Sequence, residues 1–220
     1  RVDVTTEDEL RNRVSLNIEI DEGEVAEINS INIIGNKSFV DEELLKDFEL
    51  KTGGWFSFFT NDNRYSREKL KGDIESLESF YKNRGYVEFN LESSQVSVSS
   101  DKSQVFITLN ISEGTTYDVG EVKIVGDLPI DEEVLKSLVL IKEGQRFNQY
   151  LITETEEIFK NILGNEGYSF AEVRGVPDTD EESDNVDLTF YVDAQQRTYV
   201  RRIIFKGNKR THDVVLRREM

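Results

Sequence analysis

The chain has 220 residues, 37% of them hydrophobic and 32% charged, and its formal net charge is −17. A surface this acidic repels phosphate groups and anionic headgroups, which argues against nucleic acid and anionic lipid as partners. The absence of cysteine excludes disulfides and thiolate metal sites. The longest apolar runs are only a few residues long, too short to cross a bilayer.

The first predicted element is a strand near the N-terminus. Val14, Leu16, Ile18 and Ile20 alternate with more polar residues, a period of two that is typical of a half-buried strand. The same pattern closes two later segments of the chain, where it follows other elements that are missing here. Residues 1–22 are therefore predicted to be the C-terminal piece of a preceding structural unit.

A complete unit is predicted over residues 24–115. It opens with an alternating strand that ends at Gly35, and two helices follow. The second helix has an apolar face formed by Leu70, Ile74, Leu77 and Tyr81. Gly85 ends this helix, since glycine accepts the left-handed conformation common at helix ends. Two strands complete the unit, and the second of them alternates over residues 105–111.

The same order of elements recurs over residues 116–197, and its beginning recurs over 198–220. Gly126 and Gly207 stand where Gly35 stands in the first copy, each two residues after an apolar strand residue. The chain is thus predicted to have an α+β fold built of tandem β-α-α-β-β modules.

This layout resembles the POTRA domains of the BamA family of outer-membrane β-barrel assembly proteins, over the whole chain. The segments that carry the resemblance are INIIGN (31–36), EELL (42–45), YKNRGYVEFN (81–90), QVSV (95–98), ISEG (111–114), the Gly-Tyr pair at 167–168, YVRRIIFKGN (199–208) and VVLRREM (214–220). The resemblance implies that residues 1–22 end a second domain and that 198–220 begin a fifth. Residues 24–115 and 116–197 are then the third and fourth domains. Each complete domain is expected to have a mixed three-stranded sheet, with its last strand in the middle, packed on two helices.

The strand after Gly85 changes phase partway along. Its apolar residues stand at odd positions up to Leu91 but at even positions in Val96 and Val98. One face stays buried only if the strand bulges or breaks near Ser93–Gln95. The resemblance places this strand at the free edge of the sheet, where unpaired main-chain groups accept an incoming strand. The predicted partner-binding residues of the edge are Val87, Phe89, Leu91, Gln95, Val96 and Val98. An inert edge followed by a loop is the alternative.

An aromatic loop is a second candidate contact region. Nine residues are inserted between the helices of the first complete unit, relative to the second. This possible contact loop contains Trp55, Phe56, Phe58 and Phe59. Such a cluster suits a partner surface or a membrane interface. The alternative, which we favour, is a loop that folds back onto its own domain.

The C-terminal stretch is the third candidate region. By resemblance, the predicted first helix of the fifth domain binds a BamD-like lipoprotein through Arg217, Arg218 and Glu219. Glu219 corresponds to the glutamate of the family's motif. An ordinary solvated helix face fits the sequence equally well.

The resemblance implies a non-enzymatic scaffold at the periplasmic face of the outer membrane of a Gram-negative bacterium. Its expected partners are BamB-like lipoproteins at the third domain, BamD-like lipoproteins at the fifth, and unfolded outer-membrane β-barrel proteins bound by strand addition. The parent chain is expected to be anchored in the membrane by a C-terminal barrel. A segment of a related polypeptide transporter, for two-partner secretion or autotransporter export, is the near alternative.

A metal-dependent enzyme built on acidic side chains is the alternative from another class. The sequence has a single histidine and no GxSxG, P-loop or GxGxxG pattern, so no catalytic, metal-binding or cofactor-binding residue is predicted. Residues 178–187 have carboxylates at the spacing of a calcium loop. However, Ser183 stands where that loop requires glycine, which favours a hairpin turn.

Overall fold

The computed structural model describes residues 2–9, 13–20, 26–52, 64–180, 183–199, 201–207 and 210–218. Its strands are β1 (Val2–Glu9), β2 (Arg13–Ile20), β3 (Glu27–Ile34), β4 (Asn90–Val98), β5 (Gln104–Ser112), β6 (Asp118–Gly126), β7 (Glu172–Asp180) and β8 (Asn185–Asp193). Its helices are α1 (Asp41–Leu44), α2 (Arg67–Lys82), α3 (Glu132–Ser137), α4 (Gln149–Asn165) and α5 (Asp213–Arg218). The order β-α-α-β-β occurs twice, which confirms the α+β class. We call residues 24–115 the first repeat and 116–197 the second repeat.

By its internal contacts the chain divides into two compact units. One comprises Arg1–Glu121, Glu143–Tyr150 and Thr179–Asp187, and the other comprises Val122–Lys142, Leu151–Asp178 and Leu188–Met220. These units do not follow the repeats residue by residue. The four domain boundaries expected from the sequence therefore stay a prediction.

The first repeat contains a mixed three-stranded sheet in the order β3-β5-β4. β3 runs parallel to β5, with Ile31 opposite Ile107, and β4 runs antiparallel to β5, with Val96 opposite the same Ile107. The last strand of the repeat is therefore central, as the resemblance implied, and β4 is an edge. The inward residues of β5 are Val105, Ile107, Leu109 and Ile111, all buried.

Helix α2 packs against the core that these strands form. The Ser66 hydroxyl caps its start by accepting a hydrogen bond from the Lys69 N–H. The residues that α2 contributes to the core are Leu70, Leu77 and Tyr81, with Ile74 half-buried. Burial of each large apolar side chain stabilises the fold by about 1.5–3 kcal/mol. The apolar face predicted from the spacing is thus the face by which the helix packs.

The glycines that mark the repeat are required by a close approach of two strands. Gly35 has a φ of 104°, and a Cβ at this position would lie 2.0 Å from the carbonyl oxygen of Ile111. Gly126 has a φ of 120°, and its Cβ would lie 2.0 Å from the carbonyl oxygen of Val192. Because any side chain would both clash and strain the backbone, only glycine fits either position.

The second repeat has the same strand order, β6-β8-β7, so β7 is the edge equivalent to β4. Its core combines Ile152, Phe159 and Leu163 of α4 with alternate residues of β8. β7 ends at Asp180 and β8 begins at Asn185. The acidic stretch around Ser183 therefore connects two strands, as the hairpin prediction stated.

The two flanking pieces differ from the sequence prediction in one element each. β2 is confirmed as a strand, but it pairs antiparallel with β1, which is rich in Thr, Glu and Asp and was not predicted. Residues 201–206 adopt no regular secondary structure, although Ile203 and Phe205 alternate as in a strand. Within the described ranges this segment has no neighbouring strand to complete its main-chain hydrogen bonds. None of the described helices combines the length and apolar character that a membrane span requires.

Candidate partner-binding edge

β4 contains a bulge near its start. Leu91 lies opposite Ile111 and Ser93 lies opposite Asn110, so Glu92 is an extra residue without its own partner in β5. The Asn110 side-chain amide donates a hydrogen bond to the Ser93 hydroxyl at 2.7 Å, which fixes the strand just after the bulge. The phase change in the sequence correctly predicted a bulge, but the prediction placed it slightly too late along the strand.

After the bulge, the even-numbered residues of β4 share a face with Leu91. The opposed pairs are Ser94 with Leu109, Val96 with Ile107, and Val98 with Val105. Although their partners in β5 are buried, Val96 is 38% exposed and Val98 is 55% exposed. The second half of β4 therefore presents uncovered apolar side chains directly beside the core.

A groove of about 730 Å³ lies between this half of β4 and the first half of α2. The residues that line it are Tyr65, Arg67, Glu68, Leu70, Lys71, Ile74, Ser94 and Val96. Its volume is in the range of small ligand sites and is enough for several side chains of a guest segment. The free edge of β4 and this groove together form the candidate site.

Two of the predicted edge residues are not on the strand. Val87 lies in the turn after Gly85, where its N–H donates a hydrogen bond to the Gly85 carbonyl oxygen at 3.0 Å. Phe89 is buried, and its ring stacks on Tyr81 with centroids 4.5 Å apart. β4 begins only at Asn90, since the turn after Gly85 and the buried Phe89 ring hold the preceding backbone out of the strand. The predicted residues that do lie on β4 are Leu91, Gln95, Val96 and Val98.

A buried carboxylate holds the end of the central strand β5. Oε1 of Glu113 accepts hydrogen bonds from the N–H groups of Lys37 (2.9 Å) and Ser38 (3.1 Å) and from the Tyr81 hydroxyl (2.8 Å). Oε2 accepts from the Ser38 hydroxyl at 2.9 Å. Burial alone would raise the pKa of Glu113, but these hydrogen bonds outweigh it and the pKa is lowered. Burial and the bond to Glu113 raise the pKa of Tyr81, so its hydroxyl stays a donor.

Sequence reasoning missed Glu113 and Asp73 of α2, which are both buried. Glu113 continues the odd-numbered buried face of β5, and Asp73 lies on the apolar face of α2 between Leu70 and Leu77. A buried carboxylate is costly unless it is hydrogen-bonded. A carboxylate in phase with a buried face is therefore the pattern that identifies such residues.

The other candidate contact residues are described only in part. The Arg217 guanidinium donates hydrogen bonds to Asp213 Oδ2 at 2.8 Å and to the Ile203 carbonyl oxygen at 2.9 Å, so it is engaged within its own segment. Arg218 is exposed at the end of α5. Glu219 and the aromatic residues Trp55, Phe56, Phe58 and Phe59 lie outside the described residues.

In the part of the chain that the structure describes, no group of three or more His, Cys, Asp or Glu side chains is placed to hold a metal ion. The feature of this part that suits recognition is the main chain of β4, which is paired with a strand on one side only. Main-chain groups that are free on one side are of the kind that can pair with an extended segment.

The two repeats define the class of protein. The POTRA family model, described as surface antigen variable number repeat, matches residues 26–114 and 117–195. These ranges fall on the two β-α-α-β-β repeats. The chain belongs to the POTRA family.

Relatives similar to this chain over most of its length carry the name outer membrane protein assembly factor BamA. The protein of Neisseria meningitidis is 31% identical over 211 residues, which are 96% of this chain and 26% of the relative. The protein of Buchnera aphidicola is 33% identical over 210 residues, which are 95% of this chain and 34% of the relative. The chain thus spans about a quarter to a third of the length of these relatives.

A solved structure agrees with this relationship. The crystal structure of Haemophilus influenzae BamA POTRA3-5 matches with a TM-score of 0.77 and 28% identity, over 91% of this chain and 79% of that chain. The resemblance to BamA POTRA domains that the sequence indicated is confirmed.

Proposed function

We propose that this chain is a non-enzymatic scaffold segment of the machinery that assembles outer-membrane β-barrel proteins, at the periplasmic face of the outer membrane of a Gram-negative bacterium. Its membership of the POTRA family and the names of its relatives support this proposal. The observation that carries it is the edge strand β4, which is paired on one side only and on which Val96 and Val98 are uncovered.

β4 binds its guests by strand addition. On the side away from β5, alternate N–H and C=O groups point outward and pair with an extended guest segment. Among the described residues no side chain caps the N–H groups of Ser94–Val98, and no proline interrupts them. Main-chain pairing depends little on the guest's sequence, which suits a scaffold that serves many different unfolded barrel proteins.

The lipoprotein partners take two places on the chain. A BamB-like lipoprotein binds the edge of the first repeat and competes there with unfolded barrel segments. A BamD-like lipoprotein binds near α5, with Arg218 exposed for contact and Glu219 next to it in the sequence. The parent chain is anchored by a C-terminal barrel, in keeping with relatives that are about three to four times longer than this chain.

A pair of proline variants tests strand addition. Successive N–H groups of a strand point in opposite directions, so Val96→Pro and Ser97→Pro each remove one N–H, one toward β5 and one toward solvent. The variant that removes the outward N–H should keep its fold, as judged by circular dichroism and thermal unfolding. That variant should bind a synthetic peptide of alternating leucine and serine at least about tenfold more weakly than the parent chain.

The variant that removes the inward N–H serves as the matched control, since it should lose stability instead. A folded proline variant that binds the peptide as tightly as the parent chain would reject strand addition at β4. Failure of the parent chain to bind the peptide at all would reject it too.

A further inference from the structure

We infer that the guest strand preferred by β4 has apolar side chains at alternate positions and carries carboxylates close to them. This inference rests on the proposed strand addition and names the chemistry of the segment that the edge selects. It comes from the charge and shape of the groove between β4 and α2.

The floor of the groove is apolar and open to solvent. Leu70 is buried beneath it, Tyr65 and Ile74 are half-buried, and Val96 forms the side belonging to β4. A strand added to β4 lies about 4.8 Å away, and its side chains alternate between the two faces of the sheet. The guest residue opposite Val96 therefore projects on the same face as Val96, over this floor. An apolar side chain at that position covers Val96 and gains burial of its own.

The rim of the groove carries the positive charge that faces the guest. Arg67 and Lys71 stand one helical turn apart on α2 and both line the groove. Within the described residues the Arg67 side chain forms no hydrogen bond or ion pair, and it interacts with the neighbouring Glu68 through its charge. Lys71 lies 3.5 Å from Glu75, and both side chains are mostly exposed, so this pair holds Lys71 only weakly.

The rim also carries one acidic group. The Glu68 carboxylate accepts a hydrogen bond from the Ser66 hydroxyl at 2.8 Å at the start of α2. Hydrogen bonding to its own backbone N–H, the Ser66 contact and the charge of Arg67 lower the pKa of Glu68, so it stays ionised. Ser93–Val98, the part of β4 beside the groove, contains no charged residue. With Arg67 and Lys71 against Glu68, the charged residues that line the groove leave it a net positive charge to select a guest.

A carboxylate on the guest next to its apolar residue pairs with Arg67 or Lys71, whereas a lysine there is repelled by both. The commitment is thus to an extended, acidic-flanked apolar segment of another polypeptide.

Two peptides and two charge-reversed variants test this inference. The peptides share an alternating leucine and serine core, and one has glutamates on either side where the other has lysines. The parent chain should bind the glutamate peptide roughly five times more tightly at about 150 mM salt, since each exposed ion pair contributes little. The double variant Arg67→Glu/Lys71→Glu should reverse this preference. The control Arg201→Glu/Arg202→Glu changes the net charge equally at exposed positions outside the groove and should leave the preference unchanged.

The outcomes separate this inference from the strand addition on which it rests. Equal affinities for the two peptides would overturn the acidic preference, and so would a reversed peptide preference in the Arg201→Glu/Arg202→Glu control. In either case, loss of peptide binding in the folded proline variant would still support strand addition. If the folded proline variant binds both peptides like the parent, strand addition itself fails and the inference fails with it. Two further outcomes would assign the groove to another occupant and overturn the inference. One is peptide binding that appears only after residues 53–63 are replaced by a short Gly/Ser linker. The other is self-association of the chain without peptide binding.

Discussion

In the first repeat the backbone between the two helices is held by Asp73, and in the second repeat it is held by Thr155 at the corresponding place on the longer helix. Asp73 accepts hydrogen bonds from the Glu49 N–H at 2.6 Å and the Leu50 N–H at 3.0 Å. Thr155 accepts one, from the Leu140 N–H at 3.1 Å. Both side chains are fully buried. The same loop can thus be held by a charged or a neutral acceptor, and only the first repeat buries a titratable group there.

The ends of the two central strands, β5 and β8, also differ in whether they bury a carboxylate. Glu113 ends β5 with four hydrogen bonds, whereas Ala194 occupies the equivalent buried position after β8 and has no side-chain polar group. The first repeat therefore depends on buried carboxylates at two points where the second depends on apolar packing and a hydroxyl. Its stability should respond more strongly to charge-removing substitutions and to pH.

The two edge strands differ in how much free main chain they offer. In β7 the Gly175 N–H donates a hydrogen bond to Glu156 Oε1 at 2.6 Å, and Pro177, two residues on, has no N–H at all. Positions two apart on a strand point the same way, so two consecutive donors on one side of β7 are removed. Among the described residues, β4 has neither device between Ser94 and Val98. β7 is thus a blunted edge, whereas the equivalent strand β4 is an open one.

Removing the Glu113 carboxylate should have the largest effect. Glu113→Ala leaves the Lys37 and Ser38 N–H groups and the Tyr81 hydroxyl without their acceptor, which should cost at least about 3 kcal/mol of unfolding free energy. Native-state hydrogen exchange should show this loss in β5 and not in β8. Glu113→Gln keeps one acceptor oxygen and is the milder control. Equal loss of protection in both central strands would contradict the difference between the repeats.

Acid should remove the stabilisation that Glu113 gives to the first repeat, and this effect should be of intermediate size. Since the folded-state pKa of Glu113 is lowered, its contribution is complete above the ordinary value of 4.5 and is lost as the pH falls through the folded pKa. Asp73 acts in the opposite sense, because burial raises its pKa above 3.8 and protonation relieves its desolvation.

As the pH falls below 4.5, Glu113→Gln should lose less stability than the parent chain, because the glutamine has no carboxylate to protonate. Urea unfolding at each pH, followed through β5 by hydrogen exchange, measures this difference. Identical acid sensitivity in the parent and in Glu113→Gln would mean that Glu113 is not the group responsible.

Opening the edge of β7 should have the smallest effect. Pro177→Val restores an N–H, and Glu156→Ala releases the Gly175 N–H from its side-chain acceptor. Both changes are made in the β4 variant that keeps its fold, which is either Val96→Pro or Ser97→Pro. They should restore weak, roughly millimolar binding of the leucine–serine peptide. Isothermal titration measures it, and the β4 proline variant alone is the control. No gain would show that free main chain is not what distinguishes the two edges.

The parts of the fold that follow from local periodicity could be predicted from the sequence. The inward residues of β5 and β8 and the apolar face of α2 stand at regular spacing, so their burial follows directly. The bulge of β4 could also be predicted, because only an extra residue reconciles Leu91 with Val96 on one face. These features depend on neighbours along the chain and not on distant partners.

The parts that escaped prediction depend on partners far away in the sequence. Glu113 contacts residues about 75 positions away, so its pairing with Lys37 and Ser38 has no local signature. The alternation 87–89–91 looks like strand, yet Phe89 is drawn into the core by Tyr81. β1 escaped prediction because pairing with β2, not its own hydrophobicity, makes it a strand.

The bulge at Glu92 decides which side chains a guest meets. Without a bulge, this extra residue would place Gln95 and Ser97 on the face of Leu91 and would turn the two valines to the opposite face. Because Glu92 is left out of the ladder, Ser93 pairs with Asn110 directly after Leu91 pairs with Ile111. Deleting Glu92 would therefore leave a regular ladder with Val96 and Val98 still on the groove side. The length of the strand can thus change by one codon at this point without changing the surface that a guest contacts.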